Sequence, residues 1–354
     1  MTGMRRLPAL ASLVLLAAVG AHAGERANPN DFAHKDWQLA CDNTRTCRAA
    51  GYQRDDVEGN AVSVLFTRAA GPATRIQGEL QLGDTDDSLP HPARVRLSIA
   101  GKPAGTIALD DRSNHAELPP AIVAALLKAL AGSGAIVFSN GGDTWTLSGE
   151  GASAVLLRMD DLQGRIGTPS AIVRKGTASE AGVLPPLSMP VVQAVPIPKL
   201  PRSGDEALAK RIVASLGAVE DCDLLHGPDA QGEPVEAPAL WHLDGARVLV
   251  SAPCWRAAYN TGDGYWVANA KPPYDATLVT ASGTDFDENI GITSQEKGRG
   301  IADCLGNETW TWNGREFVHT EESTTGMCRG VMLGGAWNLP TVVAKVLPAR
   351  PAAK

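Results

Sequence analysis

The chain has 354 residues, with 32 basic against 39 acidic side chains and a formal net charge of −7 at pH 7. This balance excludes nucleic acid as a partner, because phosphates call for a basic face, and it argues against an anionic membrane surface as the main partner. A chain this long is more than one ordinary core organises, so two domains are expected.

The first segment has the organisation of a secretory signal peptide. Arg5 and Arg6 precede an apolar run from Leu7 to Gly20, and Ala21-His22-Ala23 supplies small residues where a signal peptidase cuts. Cleavage is expected after Ala23. The apolar run is shorter than the ~20 residues of a spanning helix, no cysteine follows the cleavage site, and no later run is apolar enough to span. The mature chain is therefore expected in the periplasm or secreted. It would keep 30 basic and 39 acidic side chains, a net of −9.

From 28 to 182 the pattern is that of a β-rich domain with one helix. It opens on "CDNTRTC", in which Cys41 and Cys47 bracket a short polar loop. An exported chain with six cysteines reads as three disulfides. Zinc would need a tighter knuckle or a histidine inside the spacing, and thiol exchange would need C-x-x-C. "VSVLFTR" and "ARVRLSIAG" alternate apolar and polar residues, and "TIALD", "AIVFSN", "TWTLSG" and "AVLLRMDD" read as short strands. "LPPAIVAALLKALAG" is a helix: Pro119 and Pro120 start it, Ile122, Val123, Leu126, Leu127 and Leu130 form a core-facing stripe, and Gly132 stops it. "GDTDDSLPHP" reads as an acidic hairpin tip. The polar run after the last strand, with Asp160, Asp161, Gln163 and Arg165, reads as a solvated turn with an internal Arg–Asp pair, or alternatively as the lining of a site.

Residues 183–202 are punctuated by Pro185, Pro186, Pro190, Pro196, Pro198 and Pro201. Proline fixes φ and removes donors, so an extended, stiff linker is expected. The second domain, 203–347, opens with a helix over "SGDEALAKRIVASLG", in which Ser203 and Glu206 form a capping box and Leu208, Ile212 and Leu216 line one face. Asp244-Gly245 and Asn313-Gly314 each separate two β runs and predict hairpins with type I′ turns. Cys222, Cys254, Cys304 and Cys328 allow three pairings, of which nearest neighbours in the chain give Cys222–Cys254 and Cys304–Cys328. The fold class is thus mainly β with a few helices (α+β): two disulfide-stapled antiparallel β domains joined by a proline-rich linker.

No catalytic motif is present: there is no nucleophile elbow, zinc-protease motif, P-loop or dinucleotide fingerprint, and no cofactor or metal is expected. "DFDENIGITSQE" has Asp285, Asp287, Asn289 and Glu296 at calcium-loop spacing, but Ile290 occupies the position that must be glycine. Six of the eight tryptophans lie in the second domain: Trp241, Trp255, Trp266, Trp310, Trp312 and Trp337. They read as core filler, with a surface platform as the alternative. The platform would be built around Trp255, Arg256, Tyr259 and Asn260, and Lys297 and Arg299 in "KGRGIADC" offer an anion site. With Asp160 and Arg165 these are the candidate binding residues.

In order along the chain, "FAHKDWQLACDNTRTC", "LLRMDDLQGRIGT", "APCWRAAYN", "KGRGIADC", "TWTWNGREF" and the final "CRG" resemble a family of exported, six-cysteine proteobacterial proteins, domain of unknown function 1176. The opening "DW…C…C" also resembles the start of the invasion-associated locus B family. The resemblance implies export, length and disulfides, and no activity. Ala302 stands where the family pattern has glycine. The expected function is a non-catalytic envelope protein binding a glycan, peptide or protein partner. The alternative is an envelope-polymer hydrolase using Asp160, Asp161 or Asp285 as acid/base groups.

Overall fold

A computed structural model describes residues 31–348 except 57, 84–92, 111–112, 199 and 228–234. The signal segment and the acidic tip expected at 83–92 lie outside the described residues, save Gly83. The first part of the chain runs β1 (Asp31–His34), β2 (Trp37–Cys41), β3 (Cys47–Tyr52), β4 (Val62–Arg68), β5 (Gln77–Leu82), β6 (Arg94–Ile99), β7 (Lys102–Ala108), β8 (His115–Glu117), α1 (Pro120–Leu130), β9 (Ile136–Asn140), β10 (Asp143–Leu147) and α2 (Ala152–Leu162). These strands make a six-stranded antiparallel sheet, β1-β2-β3-β4-β5-β8, and a four-stranded one, β10-β9-β6-β7. The second part runs β11 (Val191–Gln193), α3 (Asp205–Ser215), β12 (Ala239–His242), β13 (Arg247–Arg256), β14 (Thr261–Asn269), β15 (Thr277–Gly283), β16 (Asp285–Asp287), β17 (Gly291–Lys297), β18 (Leu305–Trp312), β19 (Phe317–Thr324), β20 (Leu339–Val343) and β21 (Lys345–Leu347). It forms two antiparallel sheets, β12 to β15 and β16 to β20, while β11 pairs parallel with β21.

The fold is mainly β, with three α-helices among the described residues and three disulfides, Cys41–Cys47, Cys222–Cys254 and Cys304–Cys328. Cys41 and Cys47 face each other across β2 and β3, so their bond closes the hairpin that carries "CDNTRTC". Inside that loop the Asp42 carboxylate accepts hydrogen bonds from the backbone N–H of Thr44 and of Thr46. The staple and its loop therefore form one locked unit.

In β4 the alternating residues Val62, Val64 and Phe66 are fully buried in the main core, as their period predicts. Ser63 and Leu65 are buried too, because the other face of the sheet is covered by Val331, Trp337 and Leu339 from the second part of the chain. The Trp337 indole donates to Ser63 Oγ at 2.7 Å, and Met327 N–H donates to the Tyr52 hydroxyl at 3.1 Å. Asn43 closes a reciprocal pair with the backbone of Val343, at 3.0 and 2.8 Å. The proline-rich segment is extended, as expected, and pinned along its length: Leu184 N–H bonds Gln163 O, Val195 N–H bonds Trp312 O and Ile197 N–H bonds Glu288 O.

Four sequence expectations are corrected. "AVLLRMDD" is helix α2, not a strand. Ala152, Val155, Leu156 and Met159 recur at three and four and are all buried, and Ala, Leu, Arg and Met favour helix. Gly151 at φ +92° precedes it, where a Cβ would lie 1.9 Å from His34 O. The Ser203–Glu206 capping box does not form: Gly204 is the N-cap, and the Asp205 carboxylate instead accepts from Arg202 N–H at 2.6 Å. Both hairpins exist but neither turn is type I′. Gly314 alone of its pair has positive φ (+92°), and neither Asp244 nor Gly245 does; each turn is held by its Asx carboxyl or amide oxygen accepting two backbone N–H groups. Asp160, Gln163 and Arg165 do not form a solvated turn; all three are fully buried. Ala302 has φ +56°, the left-handed region that suits the glycine of the family pattern.

Candidate functional site

Helix α1 buries Ile122, Val123, Leu126 and Leu130. It can lie close to β5 because residue 78 is glycine: a Cβ there would sit 2.7 Å from Val123 Cγ2. Leu127 and Ala124 are left on the flank of the helix. Together with Ile76, Leu118 and Val123 they form the aliphatic lining of a groove of about 620 Å³, which runs between α1 and the chain from Thr74 to Glu79. A second hollow of about 450 Å³ shares Ile76, Ala124 and Leu127 and extends towards Ala171, Ile172 and Lys175. Arg68 and Arg75 line the first hollow, Lys128 and Lys175 the second. Glu79 and Glu117 border the groove, but they pair directly with each other in register. Alternation along the strands turns their side chains away from the face of Gly78 and Leu118. There Glu79 lies 3.1 Å from His115 Nε2.

Beneath the groove lies a buried polar network. Arg68 extends the core-facing row of β4 and is only 4% exposed. Its Nε and Nη2 donate to Thr74 O at 3.4 and 3.3 Å, and its Nη1 donates to Ser170 O at 2.9 Å. Arg165 donates to Gln163 Oε1, Ser170 Oγ, Gly71 O and Thr74 Oγ1, so it ties the loop between β4 and β5 to the segment after α2. Glu180 accepts from Ser170 N–H and Oγ, both at 2.8 Å. Asp160 Oδ2 accepts from Ile172 and Val173 N–H, at 2.7 and 3.1 Å, while its Oδ1 has no hydrogen-bond partner and lies 3.8 Å from Arg68 Nη1.

Burial pushes the Asp160 carboxyl up, against the pull of the two backbone N–H groups and of Arg68. Burial brings Arg68 down to about 10, with repulsion from Arg165 adding to it, which still leaves the guanidinium protonated at neutral pH.

The structure separates the sequence candidates into two groups. Asp160 and Arg165 belong to the buried network just described. Tyr259, Asn260, Lys297 and Arg299 come together at the edge of the second part. Asn260 is spent on the backbone of Lys297, donating to its carbonyl and accepting from its N–H, both at 2.9 Å. Arg299 forms a two-pronged pair with Asp303, which also accepts from Gly330 N–H. The glycines of "KGRGIADC" make room for a disulfide: a Cβ on Gly298 would lie 2.6 and 2.8 Å from the sulfurs of Cys304 and Cys328. Trp255 is half-buried, packs on the core of α3 and β13, and donates to Ser282 Oγ at 3.3 Å. Arg256 is exposed at the end of β13, and the Tyr259 ring is 46% exposed. Trp266, Trp310, Trp312 and Trp337 are buried and Trp241 packs against Phe286, so tryptophan fills cores here.

The carboxylates considered for acid/base work are not assembled. Asp160 is buried in α2, Asp161 pairs with Arg158 at 2.6 Å, and Asp285 lies in the five-stranded sheet. Around Asp285 a hollow of about 440 Å³ holds Glu308 and Glu321 among threonines. Asp287 uses its carboxylate to accept from Asn289 and Ile290 N–H, and no group of three His, Cys, Asp or Glu among the described residues could hold a metal.

A family model described as "Protein of unknown function (DUF1176)" matches residues 31–344. The chain belongs to that family. A relative, "Uncharacterized protein YpfG" of Escherichia coli (strain K12), is 26% identical over 320 residues, covering 82% of this chain and 86% of its own. No solved structure matches the chain. The family match thus runs unbroken across both cysteine-bearing parts and the proline-rich segment between them.

The groove residues Arg68, Arg75, Ile76, Ala124 and Leu127 were not among the sequence candidates. One signal was available. In "PAIVAALLKAL" the only charged residue is Lys128, a wider apolar arc than one core-facing stripe requires.

Proposed function

We propose that this chain is an exported, non-catalytic binding protein, and that it holds an extended peptide in the groove along α1. The observation that carries the reading is the groove itself: preformed, aliphatic along its walls and edged by polar and charged groups, as ligand sites generally are. No aromatic side chain lines it, which favours aliphatic peptide side chains over sugar rings. Export is supported by the signal-like leader and by three disulfides with no free cysteine, the pattern of an oxidising compartment.

The test uses mature protein purified from the periplasm and a library of fluorescein-labelled hexapeptides read by polarisation. Ala124→Arg fills the groove from an exposed helix position, and Ala121→Arg, also exposed and outside the lining, is the control. Binding at least tenfold weaker in Ala124→Arg alone, at unchanged Tm, is the expected result. Equal binding in both variants would move the site elsewhere, and a library that yields no binder would end the peptide reading.

A further inference from the structure

We infer that the groove selects an acidic peptide, with one glutamate or aspartate side chain of the ligand seated on Arg68. The inference rests on the groove being the binding site and adds what the ligand must carry. Arg68 is nine-tenths buried yet lines the groove, so a carboxylate that reached its guanidinium would meet it away from bulk solvent. A guanidinium has five N–H donors. Three hydrogen bonds, all to carbonyl oxygens, leave two of them without an acceptor within hydrogen-bond distance. The nearest carboxylate, Asp160, is held back at 3.8 Å because Ile172 and Val173 N–H fix its other oxygen. The charge of Arg68 is therefore balanced only loosely from behind, and its fork is suited to receive a carboxylate from the groove side.

The rim agrees in sign. Arg75, Lys128 and Lys175 line the two connected hollows, while the bordering acids, Glu79 and Glu117, have their side chains on the other face of the sheet. Four cations distributed over the two connected hollows, two on each, stand out in a chain whose net charge is −7. A local cation excess in an acidic protein favours anionic ligands by charge complementarity. The aliphatic wall between the cations would take alternate apolar side chains, so acidic and aliphatic residues should interleave in the ligand.

The probe is a fluorescein-labelled, C-terminally amidated pentapeptide alternating leucine with glutamate, set against its glutamine counterpart. A charge-assisted bond to a buried arginine should make the glutamate peptide on the order of 10- to 100-fold tighter, and the preference should shrink as salt is raised. Arg68→Gln should bring the glutamate peptide down to the level of the glutamine peptide and leave the latter unchanged. Should Arg68→Gln fail to fold, Arg75→Gln with Lys128→Gln, both at exposed positions, must lower the preference; an unchanged preference there overturns the inference. Equal affinities of the two peptides for wild type overturn the inference and leave the groove reading standing. A preference that appears only when the C-terminus is left as a free acid would place the terminal carboxylate on Arg68 and overturn the side-chain assignment. Binding of neither peptide, together with no effect of Ala124→Arg on any library peptide, overturns both readings.

Discussion

Trp337 couples the two parts of the chain through a shared apolar cluster, and truncating it should destabilise the whole protein at once. It is 8% exposed and packs with Ala40, Ala50, Tyr52 and Leu65 from the six-stranded sheet and with Val331 and Leu339 from its own part. Its indole N–H donates to Ser63 Oγ, which is itself buried and donates to Gly51 O at 2.9 Å. Trp337→Ala removes the ring and opens a cavity, at a cost of about 3–5 kcal/mol. Trp337→Phe keeps most of the ring, loses ~1 kcal/mol of buried area, and takes away the donor to Ser63 for about another 1 kcal/mol. About 300 ordered residues carry an unfolding entropy of ~0.6 kcal/mol/K, so the alanine variant should melt roughly 6 °C lower and the phenylalanine variant roughly 3 °C lower. Urea titrations with disulfides intact, followed in parallel by far-UV circular dichroism and tryptophan fluorescence, provide the measurement. One coincident transition, moved by the stated amounts, is expected. Two transitions of which only one moves, or a loss under ~1 kcal/mol for Trp337→Ala, would refute the coupling drawn from this cluster.

Two further outcomes follow from single residues. Gly298→Ala places a Cβ within 3 Å of both sulfurs of Cys304–Cys328, so it should cost about 1–3 kcal/mol and raise the free-thiol content titrated in denaturant. Gly306→Ala, with nothing within 4 Å, should change neither. The Arg299 guanidinium, with the Gly330 N–H behind it, holds the Asp303 carboxyl below the usual carboxylate range against the opposing effect of burial. A depressed folded-state value stabilises the fold above the unfolded value of ~3.9 and is lost as pH falls through the folded one. Asp303→Asn should therefore flatten the acid limb of stability below about pH 4 in urea midpoints taken from pH 3 to 6; an acid limb as steep as wild type would show that Asp303 does not contribute to it.

Where local chemistry decided the outcome, the sequence was readable. The period-two run in β6 and the three-and-four stripe of α1, Leu127 apart, match the structure because each needs only one apolar face, and the short β-rich runs of β9 and β10 are strands as read. The cysteines paired with their nearest neighbours because each bond links elements close in the chain. Where two distant segments decided it, the sequence was silent. Ser63 looks solvent-facing in "VSVLFTR" and is buried only because Trp337, far along the chain, covers that face. "AVLLRMDD" alone is too short to separate strand from helix; the three-and-four spacing shows once Ala152 is counted with it, and α2 then fits against β2. Gly78 gave no hint that a helix would sit against it, so the groove beside that helix stayed hidden.

The polar run at Asp160 to Arg165 bears on function through this same distance effect. A charged segment after an apolar one normally marks a turn in water. Here α2 carries it inward, where Arg165 satisfies carbonyls of the loop between β4 and β5, Gln163 satisfies that of Arg68 at the end of β4, and Arg68 satisfies those of Thr74 and Ser170. A buried arginine is costly unless such acceptors surround it, so the two guanidinium groups and this loop specify each other's positions. Arg68 is consequently held rigidly at the groove floor with its charge only loosely matched by Asp160. Rigid placement matters for recognition, since a guanidinium already ordered loses less freedom when it takes up a carboxylate. On the proposed reading, the residues that stabilise the fold at this point would also be the ones that prepare the groove for an anionic ligand.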